Sequence, residues 1–250
     1  MKQLDPRFSQ LPFPDVERLA SVESRAFELD LLYGDEAAEE LLCLAIRDVF
    51  PDRVALVSSF GAESAVLLHM VAAICPDTPV ISVDTGKLFG ETRRYRERLA
   101  ERLGLTDLRV VSPDPLGIRR ADPDGLLFAR DPDRCCALRK TRPLSQALAE
   151  FDAWITGRKA AHGHEREGLR AFESDGRHIK VNPLHGWSKA DVDEYFDARN
   201  LPRHPLEADG FLSIGCMPCT DRVCPGEGLR DGRWRGLEKT ECGIHARRER

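Results

Sequence analysis

Short apolar runs alternate along the chain with longer segments whose apolar residues recur at helical spacing. The short runs are bounded by polar or turn-forming residues and predict buried strands. The predicted strands are residues 53–58, 79–83, 108–111, 153–156 and 178–181. The longer segments predict helices over residues 36–50, 61–74, 91–103, 143–151 and 188–198. The last helix begins with Ser-Lys-Ala-Asp, which is close to a capping box.

This alternation of strand and helix predicts an α/β fold, with a mostly parallel twisted sheet and helices on both faces. Residues 1–30 are polar and rich in proline, and we interpret them as an N-terminal arm outside the core. Residues 31–200 form the predicted α/β domain. From residue 201 onward Pro, Gly, Cys and charged residues dominate, so residues 201–250 are interpreted as an irregular extension without a core of its own.

Composition excludes several classes of protein. Of 250 residues, 42% are hydrophobic and 32% are charged, which excludes wholesale disorder and fibrous folds. No apolar run approaches the roughly 20 residues that span a bilayer, and the N-terminal residues contain no apolar secretory segment. We therefore expect a cytoplasmic protein without a membrane partner. The net charge of −5 disfavours non-specific binding to nucleic acid, whereas a local basic patch could still hold a small anion.

Two loops with candidate binding residues follow neighbouring strands. In the loop 58–64, the small residues Ser58, Ser59 and Gly61 let backbone N–H groups and a helix N-terminus approach an anion. An ordinary capped strand-to-helix turn is the alternative, because the loop is neither a Walker loop nor a GxGxxG motif. Asp84 and Thr85 end the next strand and could contact a ribose or a base. Taken alone, they are better explained as a strand-terminating turn, but their position beside the first loop favours a binding role.

Eight cysteines, at positions 43, 75, 135, 136, 216, 219, 224 and 242, suggest metal or redox chemistry in a reducing compartment. Cys216 and Cys219 form a Cys-x-x-Cys pair, and Cys135 with Cys136 could complete a set of four ligands. Adjacent ligands suit the spread corners of an iron–sulfur cluster better than a single zinc ion. The alternative is a redox Cys-x-x-Cys with two unrelated buried cysteines, and position 224 is left unassigned.

Cys242 lies in a polar, glycine-containing tail, where His245 could favour its thiolate; an incidental tail thiol or a fifth metal ligand is the alternative. Cationic side chains in glycine-rich loops suggest an anionic ligand, although any single one is more often a solvated surface residue. These candidate cations are Lys140, Arg158, Lys159, Arg166, Arg230 and Arg233.

Taken together, these motifs resemble the assimilatory adenylylsulfate (APS) reductases, the iron–sulfur branch of the APS/PAPS (sulfonucleotide) reductase family. The resemblance covers roughly residues 54–245. It rests on the Cys-Cys and Cys-x-x-Cys pairs, the terminal Glu-Cys-Gly-Ile-His, the Val-Asp-Thr-Gly stretch and the altered pyrophosphatase-type loop at residues 58–64. It implies an adenine-nucleotide alpha-hydrolase-like fold for the domain and a mobile catalytic tail within the extension.

The resemblance also implies roles for individual residues. Cys135, Cys136, Cys216 and Cys219 match the ligands of one [4Fe–4S] cluster per subunit, and Cys242 matches the nucleophile. The residues expected to bind substrate are Ser58, Ser59, Gly61, Asp84, Thr85, Lys140, Gly157, Arg166, Arg230, Arg233 and His245. Within residues 157–166, Lys159, His162 and Gly163 replace the Arg, Gln and Ser that are usual in the family. This departure leaves the choice between APS and PAPS open.

The implied reaction is reduction of APS to sulfite and AMP through an S-sulfocysteine, in sulfate assimilation towards cysteine. Thioredoxin or a glutaredoxin-like protein would donate the electrons, and a homo-oligomer is expected. PAPS reductase chemistry is the first alternative. An ATP-pyrophosphatase-type thiolation enzyme is disfavoured, because the chain lacks an intact Ser-Gly-Gly-x-Asp-Ser loop. A metal-stabilised binding module without catalysis is the non-enzymatic alternative.

Overall fold

A single sheet organises the chain. The computed structural model describes residues 14–162, 168–237, 239 and 241–245. Among these residues, six strands form one sheet in the order β3-β2-β1-β4-β6-β5. The strands are β1 (Val54–Val57), β2 (Val80–Val83), β3 (Leu108–Val111), β4 (Ala153–Ile155), β5 (Phe172–Ser174) and β6 (Ile179–Val181). All pairings are parallel except that between β5 and β6, so the predicted mostly parallel α/β sheet is confirmed.

Helices cover both faces of this sheet. They are α1 (Pro14–Tyr33), α2 (Ala38–Cys43), α3 (Ser64–Ile74), α4 (Gly90–Leu103), α5 (Pro115–Ala121), α6 (Leu127–Arg130), α7 (Pro132–Cys136), α8 (Arg142–Ala147) and α9 (Lys189–Ala198). Leu56 of β1 packs into the larger core, which also contains residues of α1 to α4 and α9. Its neighbour Ala55 packs on the opposite face, where Leu144 of α8 and Trp154 of β4 lie. Both faces are therefore buried, as the continuous apolar strands predict.

The interpretation of residues 1–30 as an arm outside the core needs correction for the end of that segment. Residues 14–33 form α1, and its Ala26 and Leu29 are buried in the larger core. The backbone N–H of Phe172 on β5 donates to Asp30 Oδ1 at 3.1 Å. Helix α1 thus lies along the antiparallel edge strand, which the sequence analysis also missed. The polar face of α1 concealed its role, because only a narrow stripe of small and apolar residues reaches the core.

A run of short helices carries the adjacent cysteines. Helix α7 is capped by Asp131, whose side chain accepts from the Arg134 N–H at 2.9 Å, and Pro132 occupies the first turn. Cys135 and Cys136 end this helix, and the chain continues in a π-helical segment, Ala137–Thr141. Such wide turns are frequent at functional sites. The segment directs Lys140 towards both cavities described below.

The extension is irregular but fastened to the α/β domain. Cys216 forms an isolated antiparallel bridge with Leu88, just beyond β2, and the Met217 N–H donates to the Lys87 carbonyl at 2.8 Å. Ile214 packs against Ala62 in a small satellite cluster. The buried apolar residues of the extension therefore pack on the domain. None of the helices described here combines the length and the apolar character that a bilayer crossing requires.

Buried His204 makes stability depend on pH. The Leu206 N–H donates to its Nδ1 at 3.2 Å, so its Nε2 carries the proton and donates to Thr92 Oγ1 at 3.1 Å. Burial lowers the pKa of His204 from 6.5 to about 4. Because the folded pKa lies below the unfolded value, the stabilisation is fully present above pH 6.5 and is lost as the pH falls towards 4.

We expect the free energy of unfolding of the wild type to fall by up to about 1.4 kcal/mol per pH unit within this window because of His204. In the His204→Asn variant the side-chain oxygen can still accept from Leu206, but nothing titrates. Its stability, measured by urea denaturation between pH 4.5 and 6.5, should therefore vary less than that of the wild type. Equal slopes for the two proteins would contradict this account.

Candidate active site

The main cavity opens where the strand order reverses, at the carboxyl ends of β1 and β4. Ligands of open parallel sheets bind at such switch points. The cavity has a volume of about 200 Å³. Most residues that the sequence analysis assigned to substrate and catalysis line it: Ser58, Ser59, Gly61, Lys140, Gly157, Arg230, Arg233, Cys242 and His245. The loop after β1 and the C-terminal extension thus meet at one cavity.

Some predicted residues lie elsewhere. Asp84 and Thr85 follow β2, one strand away from the switch point, and neither lines the main cavity. Asp84 forms an ion pair with Arg93 at 3.1 Å, and Thr85 Oγ1 lies 3.2 Å from Cys216 Sγ. Their role in substrate binding stays a prediction that this geometry does not support. Arg166 lies outside the described residues.

The loop after β1 has the form of an anion-binding turn. Its Phe60 is fully buried with φ of +49°, a left-handed conformation that costs a bulky residue energy and is concentrated at functional sites. The Ser58 hydroxyl accepts from the Phe60 N–H at 3.2 Å and fixes the turn. Helix α3 begins at Ser64, so the loop and the positive end of the helix dipole face the cavity.

Ion pairs hold several cations of this cavity. Within the described part of the chain, Arg158 pairs with Glu173 at 2.7 Å, Lys159 with Glu63 at 3.0 Å and Arg230 with Glu241 at 3.3 Å. The cations were predicted from the sequence, whereas these carboxylates were assigned no role there. Residues so distant in sequence give no spacing signal, so only the fold could reveal the pairing.

Arg233 is positioned by close backbone contacts. Its guanidinium lies over the ring of Trp234 at 4.3 Å, and its Nε donates to the Cys219 carbonyl at 3.3 Å. A Cβ at Gly215 would lie 2.3 Å from Arg233 Nη2, so position 215 must be glycine for the arginine to adopt this place. The guanidinium thereby links the cavity to the Cys-x-x-Cys turn.

Cys242 is buried and electrostatically activated. The Cys136 thiol donates to Cys242 Sγ, and this contact, with Lys140 and the backbone N–H of Ile244, holds the pKa of Cys242 well below its usual range despite burial. The charge on Cys242 in turn raises the pKa of Lys140 to about 12. Lys140 is therefore a cation near Cys242, and its charge favours the thiolate form of that residue.

The C-terminal turn docks on the domain through two side chains. The His245 N–H donates to the Cys242 carbonyl at 2.9 Å and closes the turn. Ile244 packs on the core face formed around Trp154, and the His245 ring stacks on Trp154 with ring centroids 5.7 Å apart. Trp154 was not predicted as a site residue, because an aromatic residue in a strand usually indicates packing in the core. The predicted mobility of the tail stays a prediction; the described residues show it docked.

A second, smaller cavity is lined by all four predicted cluster ligands: Cys135, Cys136, Cys216 and Cys219. Burial raises the pKa of Cys135 to about 11 and also raises that of Cys219, with the charges of neighbouring cysteines adding to both shifts. Cys136 lines the same cavity, and its thiol also contacts Cys242, which raises the pKa of Cys136. No group of three or more His, Cys, Asp or Glu among the described residues is arranged to hold a single metal ion.

The donor chemistry of this second cavity fits a thiolate-ligated group. All four cysteines line one space, and the cationic side chains of Arg139 and Lys140 line it too. Cations so placed offset the charge that bound thiolates carry. Residues 135, 136, 216 and 219 could therefore hold an iron–sulfur cluster, with Lys140 between it and the main cavity.

The fold and the site define a class: an α/β protein with a cavity at the switch point of its sheet, in which a buried cysteine lies among cations. Comparison with known proteins defines this class more closely. The family model described as phosphoadenosine phosphosulfate reductase domain matches residues 53–222. Over 224 residues the chain is 48% identical to a Mesorhizobium japonicum protein named adenosine 5'-phosphosulfate reductase, covering 90% of this chain and 88% of the relative.

A second relative, from Gloeobacter violaceus, is named phosphoadenosine 5'-phosphosulfate reductase. It is 40% identical over 219 residues, covering 86% of this chain and 90% of the relative. The crystal structure of PAPS reductase from Candida auris, in a phosphate complex, shares the fold with a TM-score of 0.67 at 24% identity, covering 80% of this chain and 97% of that one. The chain belongs to the APS/PAPS (sulfonucleotide) reductase family.

Proposed function

We propose that this protein reduces adenylylsulfate to sulfite and AMP, with thioredoxin or a glutaredoxin-like dithiol protein as electron donor, in assimilatory sulfate reduction. The observation that carries the proposal is the convergence of Cys242, Lys140, Arg230 and Arg233 on one cavity at the switch point of the sheet. The names of relatives up to about half identical to the chain support the choice of an APS-reducing oxidoreductase.

In the first step, the Cys242 thiolate attacks the sulfur of APS. A bond forms between Cys242 Sγ and that sulfur, the bond from sulfur to the bridging oxygen breaks, and AMP leaves with the electron pair. Lys140, Arg230 and Arg233 offset the charge on the sulfonate and phosphate oxygens. The loop at residues 58–64 and Gly157 hold the nucleotide. The product of this step is an S-sulfonated Cys242.

In the second step, a thiolate of the donor protein attacks Cys242 Sγ. The bond to the sulfonate breaks and sulfite departs with the electron pair, leaving a mixed disulfide. The second donor thiol resolves it, so the donor is oxidised by two electrons and Cys242 returns to the thiol. Because Cys242 is buried in the docked tail, its turn must leave the domain before this step.

The residues that would hold a [4Fe–4S] cluster are Cys135, Cys136, Cys216 and Cys219. When bound, the cluster would supply local charge at Lys140 and would keep its own redox state unchanged. The chain's own contribution is to fix Lys140. Its π-helical segment follows the cysteine pair directly and extends towards the main cavity.

Serine substitutions test the ligand set. Each of Cys135→Ser, Cys136→Ser, Cys216→Ser and Cys219→Ser should strongly reduce the iron content of anaerobically purified protein and its visible absorption, because a hydroxyl is a poor ligand for iron in such clusters. Cys224→Ser is the matched control, since Cys224 is exposed on the same extension. It should retain full iron. Retention of iron by all four ligand variants would overturn the assignment.

PAPS reduction by the same chemistry is the second candidate, because a relative 40% identical to this chain carries that name. Sulfite release should be measured with each nucleotide under matched conditions, with thioredoxin and its reductase. The proposal expects a higher kcat/KM for APS; preference for PAPS would establish the alternative.

Turnover of ATP to AMP and pyrophosphate would instead favour a thiolation enzyme. A homo-oligomer and a cytoplasmic location stay predictions.

A further inference from the structure

One carboxylate occupies a place where a negative charge is unexpected. Glu241 lines the main cavity, which the proposed function fills with anionic oxygens, and its side chain is only 6% exposed. Its Oε1 lies 3.3 Å from Arg230 Nη2 and also accepts from the backbone N–H of Cys242 at 2.8 Å. The same oxygen thus contacts an expected substrate arginine and the backbone of the expected nucleophile.

Burial of a carboxylate costs free energy unless a partner offsets it, and Arg230 is such a partner. Arg230 is itself largely buried, with 14% of its side chain exposed. A ligand phosphate or sulfate oxygen that bound this guanidinium would approach the Glu241 carboxylate closely. The two negative charges would repel each other in a poorly solvated cavity, so the oxygen of Glu241 and that of the ligand compete for Arg230.

We propose that Glu241 is an internal counter-anion of Arg230, which the anionic part of the nucleotide displaces on binding. The inference rests on the proposed function for the identity of that anion. Glu241 keeps Arg230 in place while the cavity lacks nucleotide and lowers the affinity for anions that enter. The same Glu241 oxygen also accepts from the Cys242 N–H. Displacement of Glu241 by the nucleotide therefore changes a contact of the turn that carries the nucleophile. Glu241 is in this sense a positioning residue.

Glu241→Gln isolates the charge. The amide oxygen of glutamine can still accept from the Cys242 N–H, whereas the negative charge opposite Arg230 is removed. Titration calorimetry should use ADP, in which a terminal phosphate stands where APS has sulfate, and adenosine, which carries no anionic group. Neither transfers a sulfonate to Cys242. We expect Glu241→Gln to bind ADP about tenfold more tightly than the wild type, with adenosine affinity unchanged.

Two further variants make the test specific. Glu227→Gln removes a carboxylate of the same extension that pairs with Arg235, and it should leave the ADP affinity unchanged. Glu241→Gln combined with Arg230→Gln should show no gain over Arg230→Gln alone, because the competition requires the guanidinium. A merely structural role of Glu241 would not produce this dependence on Arg230.

Equal or weaker ADP binding by the Glu241→Gln variant, with circular dichroism like that of the wild type, would overturn the inference. So would a gain of the same size in the Arg230→Gln background. Failure of the proposed function looks different, since the wild type would then release no sulfite from APS, whatever its affinity for ADP. Tighter binding of both ligands by the variant would show a general opening of the cavity and would also contradict the inference.

Discussion

Replacing Cys242 by serine is expected to lower kcat/KM for sulfite release by roughly 10⁵-fold or more, because the reaction loses its nucleophile. A serine hydroxyl remains protonated at neutral pH, and the contacts that lower the pKa of the thiol cannot make it an anion. Nucleotide binding and iron content should be retained, because the side chain keeps nearly the same size. The measurement is steady-state sulfite release with APS, beside ADP calorimetry and iron analysis.

Cys224→Ser serves as the control for a general loss of thiols, since Cys224 is exposed and outside both cavities. It should release sulfite at the rate of the wild type. Sulfite release by Cys242→Ser within tenfold of the wild type would exclude Cys242 as the nucleophile. Cys136 would then be the next candidate for the nucleophile, because its thiol contacts the same sulfur atom.

The second large effect is expected at Lys140. Lys140 lines both cavities, and its pKa is raised to about 12, mainly by the charge on Cys242. Lys140→Ala should lower kcat/KM by about 10²–10³-fold, the usual cost of removing one preorganised charge from a reacting site. Iron content should stay close to that of the wild type, because Lys140 is not among the proposed ligands.

Lys189→Ala is the matched control, since Lys189 lies on α9 and pairs with Asp193 away from both cavities. Lys140→Gln is the second variant should the alanine protein fold poorly. An iron-replete Lys140 variant with full kcat/KM would contradict both the charge-offsetting role and the proposed link between cluster and substrate.

The sequence predicts the α/β architecture well for a physical reason. Strands buried on both faces are continuous apolar runs, and the run at residues 53–58 contains β1, whose Val54, Ala55 and Leu56 are buried. Helix α9 carries the predicted capping box, with Ser188 and Asp191 satisfying each other's backbone groups. Helices α5 and α7 were missed because they are stabilised by end caps and proline rather than by an apolar period, and α6 because it has only 4 residues.

Site residues were predictable where the chemistry requires a particular residue type. They were not predictable where a residue acts through a partner that is distant in sequence. The paired cysteines stand out by their spacing, whereas the role of Cys242 follows only from the family resemblance. The switch point of the sheet explains why Gly157 and Cys242 line the same cavity. Asp84 and Thr85 fall outside it because β2 lies one strand too far along the sheet. Glu241 and Trp154 act through neighbours that only the tertiary fold supplies.

The most direct test of the proposed function is the intact mass of the protein after anaerobic incubation with APS, and in parallel with PAPS, in the absence of any thioredoxin. We expect the mass to increase by one sulfonate group, faster with APS than with PAPS, and the Cys242→Ser variant to show no increase. Iron-replete protein that gains no sulfonate from either nucleotide would contradict the reductase assignment.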